Sequence, residues 1–183
     1  MSKKVLVPIA EGSEEIEAVC IIDVLRRAGA EVTVASVNDL TVTASRGVKI
    51  TADAQISACA GNSYDLIALP GGMPGAEHLR DSDALALLLQ RQQGENRLYG
   101  SICASPAVVL LHHGLIGDRN ATAHPAFSDR LENQDKVNDR VVVDGNLVTS
   151  RGPGTAIEFA LKLVELLFGE KKAREVADPM LVW

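Results

Sequence analysis

The sequence is poor in cysteine, in positive charge and in long apolar runs. Its three cysteines, Cys20, Cys59 and Cys103, are an odd number without a Cys-x-x-Cys spacing, which argues against a disulfide framework and a structural zinc site. Lysine and arginine number 18 against 24 acidic residues, giving a formal net charge of −6. This balance argues against binding to nucleic acid or to an anionic lipid surface, because no broad basic face is available.

No stretch approaches the roughly 18 uninterrupted apolar residues of a membrane helix, and the short apolar run after Lys4 is too brief for a signal peptide. We therefore expect a cytoplasmic protein without a membrane partner. Internal repeats and low-complexity linkers are also missing. Since 46% of the 183 residues are hydrophobic, residues 1–183 are predicted to form a single domain with a substantial core.

Apolar runs of strand length alternate with segments of helical periodicity. Strands are predicted at 5–10, 32–37, 66–69 and in the run that ends at 103, helices at 14–28, 84–93, from 106 onward and at 156–168, and hairpins at 42–51 and 141–149. This alternation indicates an α/β protein with a mostly parallel sheet covered on both faces. Ligands bind such sheets at the carboxyl ends of the strands.

Cys103 lies where an apolar strand gives way to a helix. The Ser105 hydroxyl can cap this helix and Pro106 suits its first turn, so Cys103 is placed just outside the helix N-terminus. The helix dipole and the free amides there are expected to favour a thiolate and to lower the cysteine pKa. A lone cysteine in an apolar stretch is more often buried and inert, but this junction favours the reactive alternative.

Three carboxylates begin the first helix. Complementing the helix dipole is a sufficient role for Glu14 and Glu15. Glu17 lies among apolar residues, and a carboxylate turned toward an apolar pocket has its pKa raised toward neutrality. Glu17 is therefore a candidate for proton transfer at pH 7.

Backbone amides and one histidine complete the candidate site. Gly71-Gly72 ends a strand without the lysine of a phosphate-binding loop or a dinucleotide spacing. The amides of Gly72 and Ala104 are predicted to stabilise an oxyanion. His124, expected after a short apolar strand, could orient or tune the cysteine, although a lone histidine is more often structural.

Other polar residues are left outside the catalytic set. His112 and His113 are interpreted as capping groups near a helix end. Residues 151–155 are interpreted as a turn that shapes the pocket rim. Arg27 and Arg46 are candidates for an anion-accepting rim, but exposed arginines are commonly solvated or paired.

Five motifs, in order along the chain, resemble those of the ThiJ/PfpI superfamily and specifically its Parkinson-linked DJ-one clade. They are EGSEEIE at 11–17, LPGG at 69–72, ICASP at 102–106, TAHP at 122–125 and TSRGPGT at 149–155. The resemblance implies a flavodoxin-like three-layer sandwich, of the class I glutamine amidotransferase type, and a homodimer. It also implies that Cys103 is the reactive cysteine, that Glu17 is its protonated partner, that Gly72 and Ala104 supply amides and that His124 lies nearby.

The chain departs from other branches of this superfamily. Ala104 follows the cysteine where the protease-like branch has a histidine, so proteolysis is disfavoured. An amidotransferase triad is also disfavoured, because Glu158 has no neighbouring histidine. Ala44 and Thr51 replace the hairpin cysteines of some relatives, so a redox role would rest mainly on Cys103.

The leading hypothesis is an enzyme that needs no cofactor and no metal. The Cys103 thiolate would add to glyoxal or methylglyoxal, and Glu17 would move the proton that leads to a 2-hydroxy acid. The same chemistry would reverse early adducts of these aldehydes on proteins, a deglycase activity. The alternative is a redox sensor or chaperone that uses oxidation of Cys103 to sulfinate.

Overall fold

The computed structural model describes residues 2–182 and places strands at most of the predicted apolar runs. The strands are β1 (Lys4–Ile9), β2 (Glu31–Ser36), β3 (Thr41–Thr43), β4 (Lys49–Thr51), β5 (Ala54–Gln55), β6 (Leu66–Leu69), β7 (Leu98–Ile102), β8 (Val141–Asp144) and β9 (Leu147–Ser150). The helices are α1 (Glu15–Arg27), α2 (Gly75–Arg80), α3 (Asp83–Gly94), α4 (Ala156–Phe168) and α5 (Glu170–Ala177).

Seven strands form one sheet in the order β5-β2-β1-β6-β7-β9-β8, and β3 and β4 form a separate antiparallel hairpin. All pairs in the large sheet are parallel except β8 with β9. Because β1, β6 and β7 are parallel neighbours at its centre, their carboxyl ends meet at one edge. This edge lies where the sequence places its candidate residues.

Alternate residues of the central strands enter two different cores. Val5, Val7 and Ile9 of β1 pack in the core beneath α1 and α4, whereas Leu6 packs in the core beneath α2 and α3. The same alternation separates Leu66 from its neighbour in β6. Burial of both faces explains the continuous apolar runs, and the predicted three-layer α/β fold is confirmed.

The structure adds elements that the sequence reading missed. Helix α2 has six residues, the polar helix α5 contains few apolar residues, and β5 has only two residues. Within residues 2–182 no helix is both long and apolar enough to cross a membrane.

Two local predictions around the cysteine are wrong. A single π-helical turn, Pro106–Leu110, follows Cys103 in place of a longer helix, and its preceding residue Ser105 makes no side-chain cap. The Ser105 hydroxyl instead donates to the Pro70 carbonyl at 2.6 Å, tying two loops together. The segment before His124 is not a strand, because its polar groups bond to side chains and loops, as in the Thr122 amide bond to the Thr149 hydroxyl.

Candidate active site

Cys103 occupies a sharp elbow directly after β7. Its φ of 65° is in the left-handed region, which is uncommon for residues other than glycine. Two backbone hydrogen bonds hold this conformation: the Cys103 amide donates to Ser150 at 3.0 Å, and the Cys103 carbonyl accepts from the His124 amide at 2.8 Å. Strained backbone of this kind costs on the order of 1–3 kcal/mol and is concentrated at functional sites.

Glu17 lies in the first turn of α1 and is fully buried. Its Oε2 atom accepts a 2.7 Å hydrogen bond from the Gly71 amide. Its Oε1 atom is buried and has no hydrogen bond of standard geometry within residues 2–182. The Cys103 thiol nevertheless interacts with this carboxyl group strongly enough to influence its protonation. The thiol is thus the partner with which Glu17 can exchange a proton.

Burial raises the pKa of Glu17 from 4.5 to about 7. Hydrogen bonds from the Gly71 amide and from Cys103 oppose this shift, while the nearby charge of Glu14 adds to it. The carboxyl group is therefore divided between its two protonation states near neutral pH, as a group that both donates and accepts protons requires. The sequence-based expectation for the pKa of Glu17 agrees with this environment.

The expected lowering of the Cys103 pKa is wrong for the paired site. Burial, followed by the negative charge of Glu17, raises the pKa of this thiol. The amides of Gly72 and Ala104 act in the opposite direction but do not compensate. Since a protonated Glu17 carries no charge and can donate a hydrogen bond, the two groups are best treated as one pair that shares a proton.

Two glycines permit this close packing. A Cβ atom on Gly71 would lie 2.6 Å from the Cβ atom of Cys103. Gly72 has a φ of +89°, and a Cβ there would lie 2.4 Å from the Glu14 amide nitrogen. A side chain at Gly71 would force the end of β6 away from the elbow, and one at Gly72 would force it away from the turn that precedes α1. The predicted strand-end turn at 71–72 is therefore also what brings the amides near the sulfur.

A cavity of about 340 Å³ opens in front of the half-buried Cys103. Its walls combine polar groups with apolar ones; they are Glu14, Ser45, Arg46, Gly72, Met73, Cys103, Ala104, His124, Ala126, Phe127 and Pro153. Glu17 lies behind the cysteine rather than among the lining residues. A small carbonyl compound in the cavity would meet the sulfur first, with the carboxyl group behind it.

The turn of the β3–β4 hairpin forms one wall of the cavity. The Ser45 hydroxyl lies 2.8 Å from both the Glu14 and the Glu15 carboxylates, and the Arg46 amide donates to Glu15 at 2.8 Å. Although burial raises it, the pKa of Glu15 is lowered overall by these hydrogen bonds. Sequence reasoning gave Glu14 and Glu15 a dipole role only, and the contacts, 30 or 31 residues apart along the chain, leave no local signal.

His124 lines the cavity, but the structure gives its ring no hydrogen bond to Cys103 within residues 2–182. Its Nδ1 atom accepts from the Ala126 amide at 3.2 Å, which favours the tautomer with hydrogen on Nε2. Its ring packs near Phe127, with 6.3 Å between centroids. The observed contact with the cysteine is through the backbone, so its predicted tuning role stays a prediction.

The remaining residues singled out in the sequence divide between the site and the periphery. Pro153 of the predicted rim turn lines the cavity, as does Arg46. Arg27 does not, since it ends α1 and pairs with Asp23 at 2.6 Å, which fits the paired alternative. The His113 ring lies 2.9 Å from the Arg80 carbonyl at the end of α2, consistent with a capping interaction.

A second and larger cavity, of about 500 Å³, lies between α4 and α5. It is floored by Ile157, Leu161 and Ala173, and its charged side chains include the paired Lys162 and Glu165. No cysteine or histidine lines it. Within residues 2–182 no group of three His, Cys, Asp or Glu side chains is placed to hold a metal ion.

The DJ-1/PfpI family model matches residues 3–166, a span that includes the elbow, Glu17 and the hairpin. The chain belongs to the DJ-1/PfpI family. Protein DJ-1 homolog B of Arabidopsis thaliana is 52% identical over 180 residues, which cover 98% of this chain and 41% of the relative. The chain thus spans less than half the length of that homologue, and also of homolog A from the same plant, of which it covers 46%.

Other family members match along nearly their whole length. Glutathione-independent glyoxalase DJR-1.2 of Caenorhabditis elegans is 36% identical, over 98% of this chain and 95% of the relative. The oxidized structure of Toxoplasma gondii DJ-1 has a TM-score of 0.96 at 53% identity, with 99% of each chain covered. Drosophila melanogaster DJ-1beta also has a TM-score of 0.96, at 43% identity and full coverage of both chains.

Proposed function

We propose that this DJ-1/PfpI family protein converts glyoxal and methylglyoxal to 2-hydroxy acids without glutathione. The observation that carries the proposal is the pairing of the half-buried Cys103 with the buried Glu17, whose Oε1 atom has no hydrogen bond of standard geometry within residues 2–182. Membership of a family that includes a glutathione-independent glyoxalase supports the same reaction.

The first step is addition of sulfur to the aldehyde. The Cys103 thiolate attacks C1 of methylglyoxal, a new S–C bond forms, and the carbonyl π bond breaks to leave an alkoxide. The amides of Gly72 and Ala104, which interact with the sulfur, would stabilise negative charge that develops beside it. Protonated Glu17 supplies the proton that turns the alkoxide into a hemithioacetal hydroxyl.

The second step moves a proton from C1 to C2. Glu17, now a carboxylate, removes hydrogen from C1, the electron pair forms the C1–C2 double bond, and the proton of the C1 hydroxyl passes to the C2 oxygen to give an enediolate. Return of the proton to C2 then gives a 2-hydroxy acyl thioester on Cys103. A carboxyl group with a pKa of about 7 can serve in both directions near neutral pH.

The third step releases the product. Water adds to the thioester carbonyl, the C–S bond breaks, and sulfur recovers its proton as lactate departs. The cycle adds one water molecule to one methylglyoxal and needs no external oxidant or reductant. The chain's own cysteine takes the place of glutathione as the thiol.

The proposal extends to early aldehyde adducts on proteins. A hemithioacetal on another cysteine releases free aldehyde reversibly, so removal of that aldehyde at Cys103 would also clear the adduct. Direct attack on a protein adduct would require its side chain to enter a cavity of about 340 Å³.

We also propose a homodimer. The side chains of Ile16 and Val19 on α1 are 53% and 49% exposed, and Val48 of the neighbouring hairpin loop is 50% exposed. Such a cluster of exposed apolar groups is typical of an interface. Light scattering coupled to gel filtration would show a mass near twice 19.4 kDa. A single 19.4 kDa species at micromolar concentration would contradict the proposal.

The function is tested by lactate formation from methylglyoxal in the absence of thiol additives. The wild-type protein should form many molecules of lactate per chain. Cys103→Ser and Glu17→Gln should not, whereas Cys20→Ser, a change at a half-buried cysteine outside the cavity, should retain the activity. A wild-type yield at the buffer background would reject the glyoxalase.

A second candidate function is oxidation sensing at the same cysteine. Cys103 is half-buried at the cavity, where peroxide can reach it, and the Gly72 and Ala104 amides can bond to an oxidised sulfur. Two equivalents of hydrogen peroxide would convert the thiolate to a sulfinate, which adds two oxygen atoms. A mass increase of two oxygens at Cys103 alone, without lactate turnover, would favour the sensor over the enzyme.

A further inference from the structure

Two of the arginines that lack a carboxylate partner within residues 2–182 adjoin the reactive cavity. Six arginines form ion pairs within residues 2–182: Arg26, Arg27, Arg80, Arg97, Arg140 and Arg174. Arg46 and Arg151 are among those without one, and both adjoin the cavity. Arg46 lines it directly, and Arg151 lines a neighbouring cavity of about 300 Å³ that shares His124 and Pro153 with it.

Arg151 is the more informative of the two because it is half-buried. Its Nε atom is buried without a hydrogen-bond partner, and its Nη1 atom makes one long contact, 3.4 Å, with the Asn138 carbonyl. Buried guanidinium atoms normally have an anion or another hydrogen-bond acceptor as a partner. Within residues 2–182 no carboxylate pairs with Arg151, although the overall charge of the chain is −6.

The surroundings of Arg151 fit an anion that arrives with the substrate. The neighbouring Arg140 is already neutralised by Glu158 at 2.7 Å. The Nδ1 atom of His124 accepts from a backbone amide, which leaves its Nε2 hydrogen as a donor toward the cavities. The opposing charge is Glu14, which lines the reactive cavity but is engaged by the Ser45 hydroxyl and the Ile16 amide.

Arg130, which also forms no ion pair within residues 2–182, lies behind the ring of Phe127. The guanidinium of Arg130 lies 5.0 Å from the centroid of Phe127, whose ring is part of the cavity wall. On its far side is another small cavity that contains Glu77 as a counter-charge. Arg130 therefore adds to the positive electrostatic potential at the opening of the reactive cavity, whereas Arg46 and Arg151 are placed to approach a ligand.

We propose that Arg151, supported by Arg46, forms an anion subsite beside Cys103, and that the preferred substrates are carbonyl compounds bearing a carboxylate or phosphate group. The subsite would hold the anionic group while the carbonyl carbon faces the sulfur. It would equally hold the carboxylate of a 2-hydroxy acid product before release. This inference adds an anionic substrate class to the neutral aldehydes of the proposed function and rests on that function only for the reaction at Cys103.

The test compares two alkylating reagents of similar size. Iodoacetate is an anion and iodoacetamide is neutral; in each case the Cys103 sulfur displaces iodide and forms an S–C bond. The rate at Cys103 is followed by mass spectrometry of its peptide, with Cys20 as an internal reference. The ratio of the two rates cancels changes in thiolate content and reports the charge preference of the cavity.

In Arg151→Gln the ratio of iodoacetate to iodoacetamide rates at Cys103 should fall about three- to tenfold, the effect of one unit charge about 4 Å away in a water-like dielectric. Arg46→Gln should lower it to a smaller extent, and Arg151→Lys should largely keep it. Arg91→Gln is the matched control, since Arg91 also lacks an ion pair but contacts the Asn62 carbonyl ahead of β6, at the opposite edge of the sheet. It should leave the ratio unchanged.

Competition distinguishes the two kinds of anion. Suppression of iodoacetate labelling at lower concentrations of inorganic phosphate than of acetate would identify a phosphate subsite, and the reverse order would identify a carboxylate subsite. An unchanged ratio in both Arg151→Gln and Arg46→Gln would overturn the inference. Because labelling does not depend on turnover, that result would leave the glyoxalase proposal standing, and absence of lactate formation would leave the subsite standing.

Discussion

The reactive cavity is distinguished from the α4–α5 cavity by the residues that surround it, not by a larger volume. The α4–α5 cavity has the larger volume, about 500 Å³ against about 340 Å³ for the reactive cavity. Its charges are paired with one another, as in Lys162 with Glu165 and Arg174 with Glu170. The smaller cavity contains a strained cysteine and an arginine without a carboxylate, and has a carboxyl group of raised pKa behind it.

The comparison shows that buried polar atoms without hydrogen-bond partners mark the functional site better than cavity volume does. A well-folded protein normally pairs its buried polar atoms. Here Glu17 Oε1 and Arg151 Nε, two of the unpartnered buried atoms within residues 2–182, lie behind and beside the reactive cavity. The α4–α5 cavity has no such atom among its lining residues.

Removal of the nucleophile should have the largest effect on the activity of the reactive cavity. Cys103→Ser should lower the rate of lactate formation by at least about a thousandfold, because an alcohol at this position is a far weaker nucleophile than a thiolate. Steady-state assays with methylglyoxal would measure the loss. Cys59→Ser, at a buried cysteine remote from both cavities, should leave kcat unchanged; retention of activity by Cys103→Ser would assign the chemistry elsewhere.

Neutralising Glu17 should have the next largest effect. Glu17→Gln can still accept the Gly71 hydrogen bond but cannot move a proton, so kcat should fall about a hundredfold or more. Glu15→Gln makes the same change of charge two residues earlier in α1. It should lower kcat much less, since the Glu15 carboxylate bonds to the hairpin turn and not to the cysteine. Equal losses in the two variants would contradict a specific proton-transfer role.

Stability should depend on pH through Glu17. The folded-state pKa of Glu17, about 7, exceeds the unfolded value near 4.5. The native state therefore binds more protons than the unfolded state between these pH values, and the stability that protonated Glu17 contributes is lost as pH rises through 7. The contribution is at most about 3 kcal/mol, from 1.36 kcal/mol per pKa unit. Urea unfolding at pH 5 and pH 8 should show this decline in the wild type, and a smaller one in Glu17→Gln.

Substitution at the strand end should disturb the elbow. In Gly71→Ala the new Cβ would lie 2.6 Å from the Cys103 Cβ and 2.9 Å from the Ile102 carbonyl oxygen, which should cost about 1–3 kcal/mol of unfolding free energy. Gly61→Ala has open space around its Cβ and should cost much less. Equal free energies of unfolding for the two variants would show that the close approach at Gly71 is not required.

The smallest effect is expected in the larger cavity. Arg174→Gln breaks an exposed pair with Glu170 and should change stability by less than about 1 kcal/mol. It should also leave lactate formation and the labelling of Cys103 unchanged. A loss of activity in Arg174→Gln would mean that the α4–α5 cavity communicates with the reactive edge and would weaken the contrast between the two.

The sequence predicts the sheet well because burial on both faces leaves continuous apolar runs such as 66–69. It also marks Cys103 and Glu17, which follow β7 and β1, the two strands that flank β6 at the centre of the sheet. The elements that it misses have weak patterns, such as α2 and the π turn after Ser105. The raised pKa of Cys103 depends on burial and on a carboxylate 86 positions earlier in the chain, which no local pattern records.

The hairpin wall and the anion subsite illustrate the same point. Ser45 and Arg46 look like an ordinary turn until the structure places them against Glu14 and Glu15. The sequence predicts that the 151–155 segment shapes the pocket rim, and Pro153 of this segment lines the cavity. That Arg151 has no ion-pair partner within residues 2–182 becomes visible only once the neighbouring carboxylates have been located.

The pH profile of Cys103 alkylation by iodoacetamide tests the central claim that Cys103 and Glu17 share a proton. Because the pair loses its first proton near the pKa of Glu17, about 7, the wild-type rate should rise with a midpoint near pH 7 and rise again at alkaline pH. Glu17→Gln should show one transition in place of two. Superimposable profiles for the two proteins would contradict the account.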